Sequence, residues 1–116
     1  PYFAWRDEAV KLMQTLRRKD DVPRAASAWN EKRKPEDCQA FLDALETVLR
    51  DVMRVQSGLA PFDGQIQEAL EEMAGHFTID RIACIMEEAV RVRKRLGAHV
   101  QWRSAWTPLL LKIVED

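Results

Sequence analysis

Apolar residues recur every three to four positions along most of the chain, the spacing that places them on one face of an α-helix. The pattern predicts helices over residues 3–18, 23–32, 35–57, 65–74, 79–97 and 101–114. No stretch alternates apolar and polar residues as a half-buried strand would, and no repeat of fixed period occurs. We therefore expect an all-α fold, a compact bundle of five to six helices in a single domain over residues 1–116.

Several predicted helix ends carry residues with known positional preferences. Pro35, followed by two acidic residues, opens the third helix, and Gly58, which readily takes the left-handed conformation, closes it. Gly75 is expected to end the fourth helix, and Thr78 is expected to cap the fifth. Pro108 removes one hydrogen bond from the last helix, so we expect a kink or a split there.

Composition narrows the classes of function. The 18 Lys and Arg against 19 Asp and Glu leave a net charge of −1, which argues against a domain that mainly neutralises phosphates. No apolar run approaches the roughly 20 residues of a membrane span. Cys38 and Cys84 both fall on apolar stripes, so we interpret them as buried reduced thiols in a cytoplasmic protein. Because the chain begins with Pro1, we expect it to be a fragment of something longer.

The residues that usually carry catalysis do not form a recognisable site. The glycines punctuate helices instead of forming a phosphate loop, and His76 and His99 have no partners at metal-ligand spacing. The close carboxylate pairs are interpreted as solvated or capping: Asp20 and Asp21, Glu36 and Asp37, Glu71 and Glu72, Glu87 and Glu88. We therefore expect no enzyme, no cofactor, no metal and no small-molecule substrate.

Two features stand out from an ordinary helical domain. Residues 91–95 include four positively charged side chains. They are interpreted as a solvated helix end, or as a surface that binds an acidic protein partner or a nucleic-acid backbone. Arg93 falls on the apolar stripe, where its charge must reach the rim or be paired. The chain also has four tryptophans, which either fill the core or anchor an interface. The candidate interface residues are Arg93, Trp102, Arg103, Trp106 and Leu110.

Two stretches resemble the C-terminal collar domains of bacterial clamp-loader subunits of DNA polymerase III. The run LETVLRDVMRVQSG (45–58) resembles the long helix of that family, and RVRKRLGAHVQWRSAWTPLLLKI (91–113) resembles its closing segment. The positions that match in the closing segment are Leu96, Val100, Arg103, Ala105, Leu109, Leu110, Leu111 and Lys112. Where the family usually has an Asn-Val-Asn-Pro turn, this chain has His99, Val100, Gln101 and Trp102.

The resemblance implies a structural module that joins other clamp-loader subunits through their collar domains into a pentamer. That pentamer would load the sliding clamp on DNA, and ATPase-type domains would precede this one in the full protein. The collar itself would hold no nucleotide, metal or catalytic residue, and would meet DNA only indirectly. The alternative is a small helical nucleic-acid-binding domain that uses the cations of residues 91–95, although we expect its affinity for DNA at physiological salt to be weak.

Overall fold

The computed structural model describes residues 2–28 and 34–115, and within them the chain forms six α-helices. In chain order they are α1 (Tyr2–Thr15), α2 (Val22–Ala28), α3 (Pro35–Gln56), α4 (Gln67–His76), α5 (Ile79–Gly97) and α6 (Trp102–Val114). Short 3₁₀ turns, Lys19–Asp21 and Gly64–Ile66, precede α2 and α4. This part of the chain contains no β-strand, so the predicted all-α bundle is confirmed.

The first two helices differ in extent from the prediction. α1 ends at Thr15 instead of residue 18. Beyond its end, the Nε of Arg17 donates to the carbonyl oxygen of Met13 at 3.1 Å, which satisfies one of the carbonyls left open at a helix end. α2 is described as far as Ala28, and the predicted extension to residue 32, with Trp29, lies outside the described residues.

The long helix α3 begins and ends as the sequence predicts. Pro35 occupies its first turn, and Gly58 follows its carboxyl end with a φ of +81°. The N–H of Gly58 donates to the carbonyl oxygen of Val55 at 3.0 Å, and the N–H of Leu59 reaches that of Arg54 at 2.9 Å. This pair of bonds is the Schellman arrangement, which needs a left-handed residue at the position of Gly58.

α3 is also the centre of the core. It packs against α1, α4 and α5, while α6 packs against α5 and α2. One face of α3 supplies a continuous set of buried side chains, namely Cys38, Phe41, Leu42, Ala44, Leu45, Val48, Leu49, Asp51 and Val52. The helix that carries the longest apolar stripe in the sequence is therefore the one around which the others assemble.

The predicted end of α4 is wrong, and the predicted N-cap of α5 is confirmed. α4 continues through Gly75 to His76, so Gly75 does not end it. The Oγ1 of Thr78 accepts from the N–H of Arg81 at 3.1 Å, which confirms Thr78 as the N-cap of α5. Ile79, on the predicted apolar stripe of α5, is 43% exposed, because it sits at the first residue of the helix.

A tight turn joins α5 to α6. The N–H of His99 donates to the carbonyl oxygen of Leu96 at 3.1 Å, and the N–H of Val100 donates to that of Arg95 at 3.2 Å. These bonds repeat the arrangement at the end of α3, but the left-handed residue is His99, with a φ of +62°. α5 ends at Gly97, as predicted, yet the strained position falls two residues later.

α6 then runs back along α5 without interruption. It includes Pro108, so the helix is not split there. Two arginines of α5 bind main-chain oxygens of α6. The Nη1 of Arg95 donates to the oxygen of Ala105 at 3.1 Å, and the Nη2 of Arg81 donates to that of Lys112 at 2.6 Å. The two helices therefore form an antiparallel hairpin that is joined near both of its ends.

Candidate subunit interface

The two tryptophans of α6 lie in the core of this chain. Trp106 is fully buried and Trp102 is 9% exposed. Their rings stack with centroids 4.9 Å apart, and both meet the ring of Phe41 on α3 edge-on, at 6.2 and 6.0 Å. Leu110, one turn further along α6, is also fully buried. Three of the five candidate interface residues therefore contribute to the packing of the bundle itself.

Arg93 is held by side chains of α3. Its Nη1 donates to the Oε1 of Gln39 at 2.8 Å, and its Nη2 lies 2.8 Å from Asp43 and 3.0 Å from Glu46. The sequence places this charge on an apolar stripe, where it must reach the rim or be paired. The structure shows it paired within the chain and 31% exposed, as a bridge between α5 and α3.

The carboxylate pairs were predicted to be solvated or to cap helices, and for Glu88 this prediction is wrong. Glu88 is 7% exposed and is bound by Arg91 at 3.3 Å and Arg95 at 3.0 Å. Because a buried carboxylate is unfavourable unless it is paired, these two arginines compensate it. Arg95 also donates to Ala105, so this group ties α5 to the first turns of α6.

The basic cluster of residues 91–95 is thus largely compensated by the chain's own acids. Arg91 contacts Glu87 and Glu88, Arg95 shares Glu88, and Arg93 lies between Asp43 and Glu46. A phosphate backbone would have to compete with these carboxylates for the same guanidinium groups. This arrangement gives the nucleic-acid alternative a physical reason for weak binding.

Arg103 is the candidate residue that lies open to solvent. It is exposed on the first turn of α6, and within residues 2–28 and 34–115 its side chain has no ion pair or hydrogen bond. Lys94 and Arg91 are also exposed, close to the carboxyl end of α5. We call these three residues, Arg91, Lys94 and Arg103, the basic edge. Of these three, only Arg103 belongs to the predicted interface, and a partner can reach it directly.

The remaining candidates for chemistry are scattered. Cys38 is buried, but Cys84 is exposed and not buried as predicted, because it lies on the solvent side of α5. His76 and His99 are both exposed. Among the described residues there is no group of three or more side chains suited to hold a metal ion. In the same part of the chain, no helix combines the length and apolar character that crossing a bilayer requires.

The loop that follows the carboxyl end of α3 carries exposed apolar residues that were not singled out from the sequence. Phe62 is 80% exposed and Leu59 is 53% exposed, on the loop between α3 and α4. The carboxylate of Asp51, which is 1% exposed, accepts from the N–H groups of Phe62 and Asp63 at 2.8 and 2.9 Å. A large aromatic residue in a loop with glycine and proline is the signal that could have found it.

Comparisons with known proteins did not identify a relative of this chain. A scan against protein-family models and searches of curated proteins and of solved structures found no match to this chain.

Proposed function

We propose that this chain is the C-terminal collar domain of a bacterial clamp-loader subunit, most similar to that of the delta-prime subunit of DNA polymerase III. In this role it is a structural assembly module. It joins the other clamp-loader subunits through their collar domains into the pentamer that loads the sliding clamp on DNA. The domain works in the cytoplasm, catalyses no reaction itself and meets DNA only through the assembled complex. The gamma/tau subunit of the same complex is its near relative.

The backbone of the turn between α5 and α6 carries this proposal. The family motif there is Asn-Val-Asn-Pro, and this chain has different side chains at three of the four positions. His99 takes the left-handed conformation, which asparagine tolerates better than most residues. Gln101 is the N-cap of α6, where asparagine is among the preferred residues. Trp102 is the first residue of α6, the position that favours proline.

Three of the four positions of the turn therefore have the conformation that the family residue would favour, and the fourth, Val100, is the family residue itself. Backbone geometry supports the resemblance where the side chains alone do not. The position after the turn, Arg103, keeps the family's arginine and is exposed on the basic edge. We therefore assign the basic edge to the contact with a neighbouring subunit, while Trp102 and Trp106 hold α6 in the position that presents it.

The test is reconstitution of the complex. This chain is mixed with purified clamp-loader subunits from the same organism, and complex formation is followed by size-exclusion chromatography with light scattering. Arg103→Glu should weaken complex formation about tenfold, the effect of roughly 1.4 kcal/mol. Its free energy of unfolding should stay within about 0.5 kcal/mol of the parent, because the residue is exposed and unpaired in the described structure.

Arg18→Glu is the matched control, since Arg18 is an exposed arginine that follows α1. It should leave both assembly and unfolding unchanged. If the parent chain joins no clamp-loader subunit, the proposed function is wrong. If the parent assembles and both charge reversals assemble equally well, the function stands but the contact is not at the basic edge.

A further inference from the structure

Four large apolar side chains are exposed at one end of the bundle. We call them the loop patch: Tyr2, Phe3, Leu59 and Phe62, which are 42%, 58%, 53% and 80% exposed. They come from two distant parts of the sequence, the start of α1 and the loop after α3. Exposed apolar groups that cluster in this way usually mark a contact with another molecule.

Arg6 joins the two parts of the loop patch. It is 8% exposed, and its Nη1 lies 3.0 Å from the Oδ2 of Asp63 and 2.9 Å from the Oε1 of Gln65. Its guanidinium carbon lies 4.7 Å from the centre of the Phe3 ring. Asp63 follows Phe62 directly in the loop, so one buried arginine holds the first turn of α1 against the segment that exposes Phe62.

The loop itself is held in place before any partner arrives. Besides the two hydrogen bonds that the loop donates to the Asp51 carboxylate, the Nε of Arg54 donates to the carbonyl oxygen of Ala60 at 2.9 Å. The guanidinium carbon of Arg54 lies 4.0 Å from the centre of the Phe62 ring. An exposed side chain on an ordered backbone loses little conformational entropy when it binds, which favours a role as an anchor.

The rim of the loop patch next to Phe62 is positively charged. Arg50 and Arg54 lie one turn apart on α3, and within the described residues neither has a carboxylate within 4 Å. The nearby acids are already engaged, since Asp51 binds the loop and Asp63 binds Arg6. Aromatic residues and arginine are the types most enriched at protein interfaces. The charge pattern calls for a partner with an apolar cleft bordered by carboxylates.

We propose that the loop patch is a second contact surface, which places Phe62 in an apolar, carboxylate-rimmed cleft on a neighbouring collar domain. This inference rests on the proposed function, because a subunit inside a ring touches two neighbours through two different surfaces. The basic edge and the loop patch lie at opposite ends of α3. Near one end Gln39 binds Arg93 of α5, and at the other Gln56 binds the carbonyl oxygen of Phe77, just before α5. The helix between them is about 33 Å long.

The experiment compares truncations of two exposed apolar residues in the reconstituted complex. Phe62→Ala should weaken binding of this chain to the other clamp-loader subunits at least tenfold, roughly the loss expected of an anchoring aromatic residue. Arg50→Glu should weaken it as well, because it reverses the charge of the rim. Both variants should melt within about 2 °C of the parent, since neither removes a buried contact. Leu111→Ala, which truncates a residue 48% exposed on α6, should bind as the parent does.

The outcomes separate the two proposals. A parent chain that joins no subunit overturns the proposed function, whatever the variants do. A parent that assembles, together with a Phe62→Ala variant that assembles equally tightly, overturns the loop patch alone. Equal losses in Phe62→Ala and Leu111→Ala also overturn it, because the effect would not be specific to the patch. Sedimentation of the chain alone covers one further possibility: a dimer that Phe62→Ala abolishes would assign the patch to a second copy instead.

Discussion

Replacing Trp106 by alanine tests whether this residue serves packing or assembly. The side chain is fully buried, stacks on Trp102 at 4.9 Å and meets Phe41 edge-on at 6.0 Å. Truncating a buried tryptophan removes its apolar contacts and leaves a cavity, at a loss of about 3–5 kcal/mol. A domain of this size has a total stability on the order of 6–17 kcal/mol, so the loss is a large share of it.

Urea unfolding followed by far-ultraviolet circular dichroism measures this loss, and a thermal scan should show a melting temperature lower by roughly 10–20 °C. Trp106→Phe, which keeps an aromatic ring against Phe41, should lose less than the alanine variant. A Trp106→Ala variant that unfolds within about 1 kcal/mol of the parent, but fails to join the subunits of the proposed complex, would contradict a packing role for this side chain. That result would place the indole at an interface and not in the core.

Three further predictions concern backbone conformation and pH. Gly75→Ala should stabilise the domain by about 0.5–1 kcal/mol, because Gly75 lies inside α4 and an added Cβ has no neighbour within 4 Å. Gly58→Ala should destabilise it by about 1–2 kcal/mol, because the φ of Gly58 is +81°. If urea titrations show that both variants change the free energy of unfolding in the same direction, the conformational argument is wrong. Hydrogen bonds from Arg17, the largest cause, and from Gln14 lower the pKa of Glu72. The stability that this pair contributes is present above the ordinary glutamate pKa and is lost as the pH falls through the lowered value. Glu72→Gln should therefore flatten the acid limb of stability below the ordinary glutamate pKa.

The main helices were predictable because each needs only local information. The stripe of α3 repeats every three to four residues for 22 residues, and Pro35 and Gly58 mark its ends. The cap of α5 is likewise a local matter, since Thr78 accepts from an N–H three residues later. Such features depend on spacing and on the backbone preference of single residues, which the sequence displays directly.

The surroundings of individual charges were not predictable in the same way. Arg93 lies on an apolar stripe in the sequence, but its partners Asp43 and Glu46 are about fifty positions away, on α3. Glu88 has the sequence pattern of a surface carboxylate, yet it is buried and bound by Arg91 and by Arg95, which also reaches α6. Both cases depend on which helices become neighbours, and helix periodicity alone does not specify that. Phe62 differs from these two residues, because a large aromatic residue in a loop with proline and glycine is a local signal in the sequence.

Proline placement shows a related limit. Pro108 predicts a kink or a split in α6, and the helix is not split there. The missing N–H leaves one carbonyl without its helical partner, but Pro108 lies on the partly exposed face of α6, where water can reach that oxygen. The opposite face of α6 is buried, and its packing keeps the helix continuous where that hydrogen bond is missing. The buried residues there are Trp106, Leu109, Leu110 and Ile113.

The arginines at the two ends of the α5–α6 hairpin have a consequence for how the domain opens. Arg81 binds the last turn of α6 through Lys112, and Arg95 binds its first turns through Ala105. Fraying of α6 from either end must break a bond to α5 as well as the helix's own bonds. The two helices are therefore expected to exchange their amide hydrogens with solvent as one cooperative unit, at a similar opening free energy along their length. Because α6 resists fraying independently of α5, the surface that the two helices share keeps one shape.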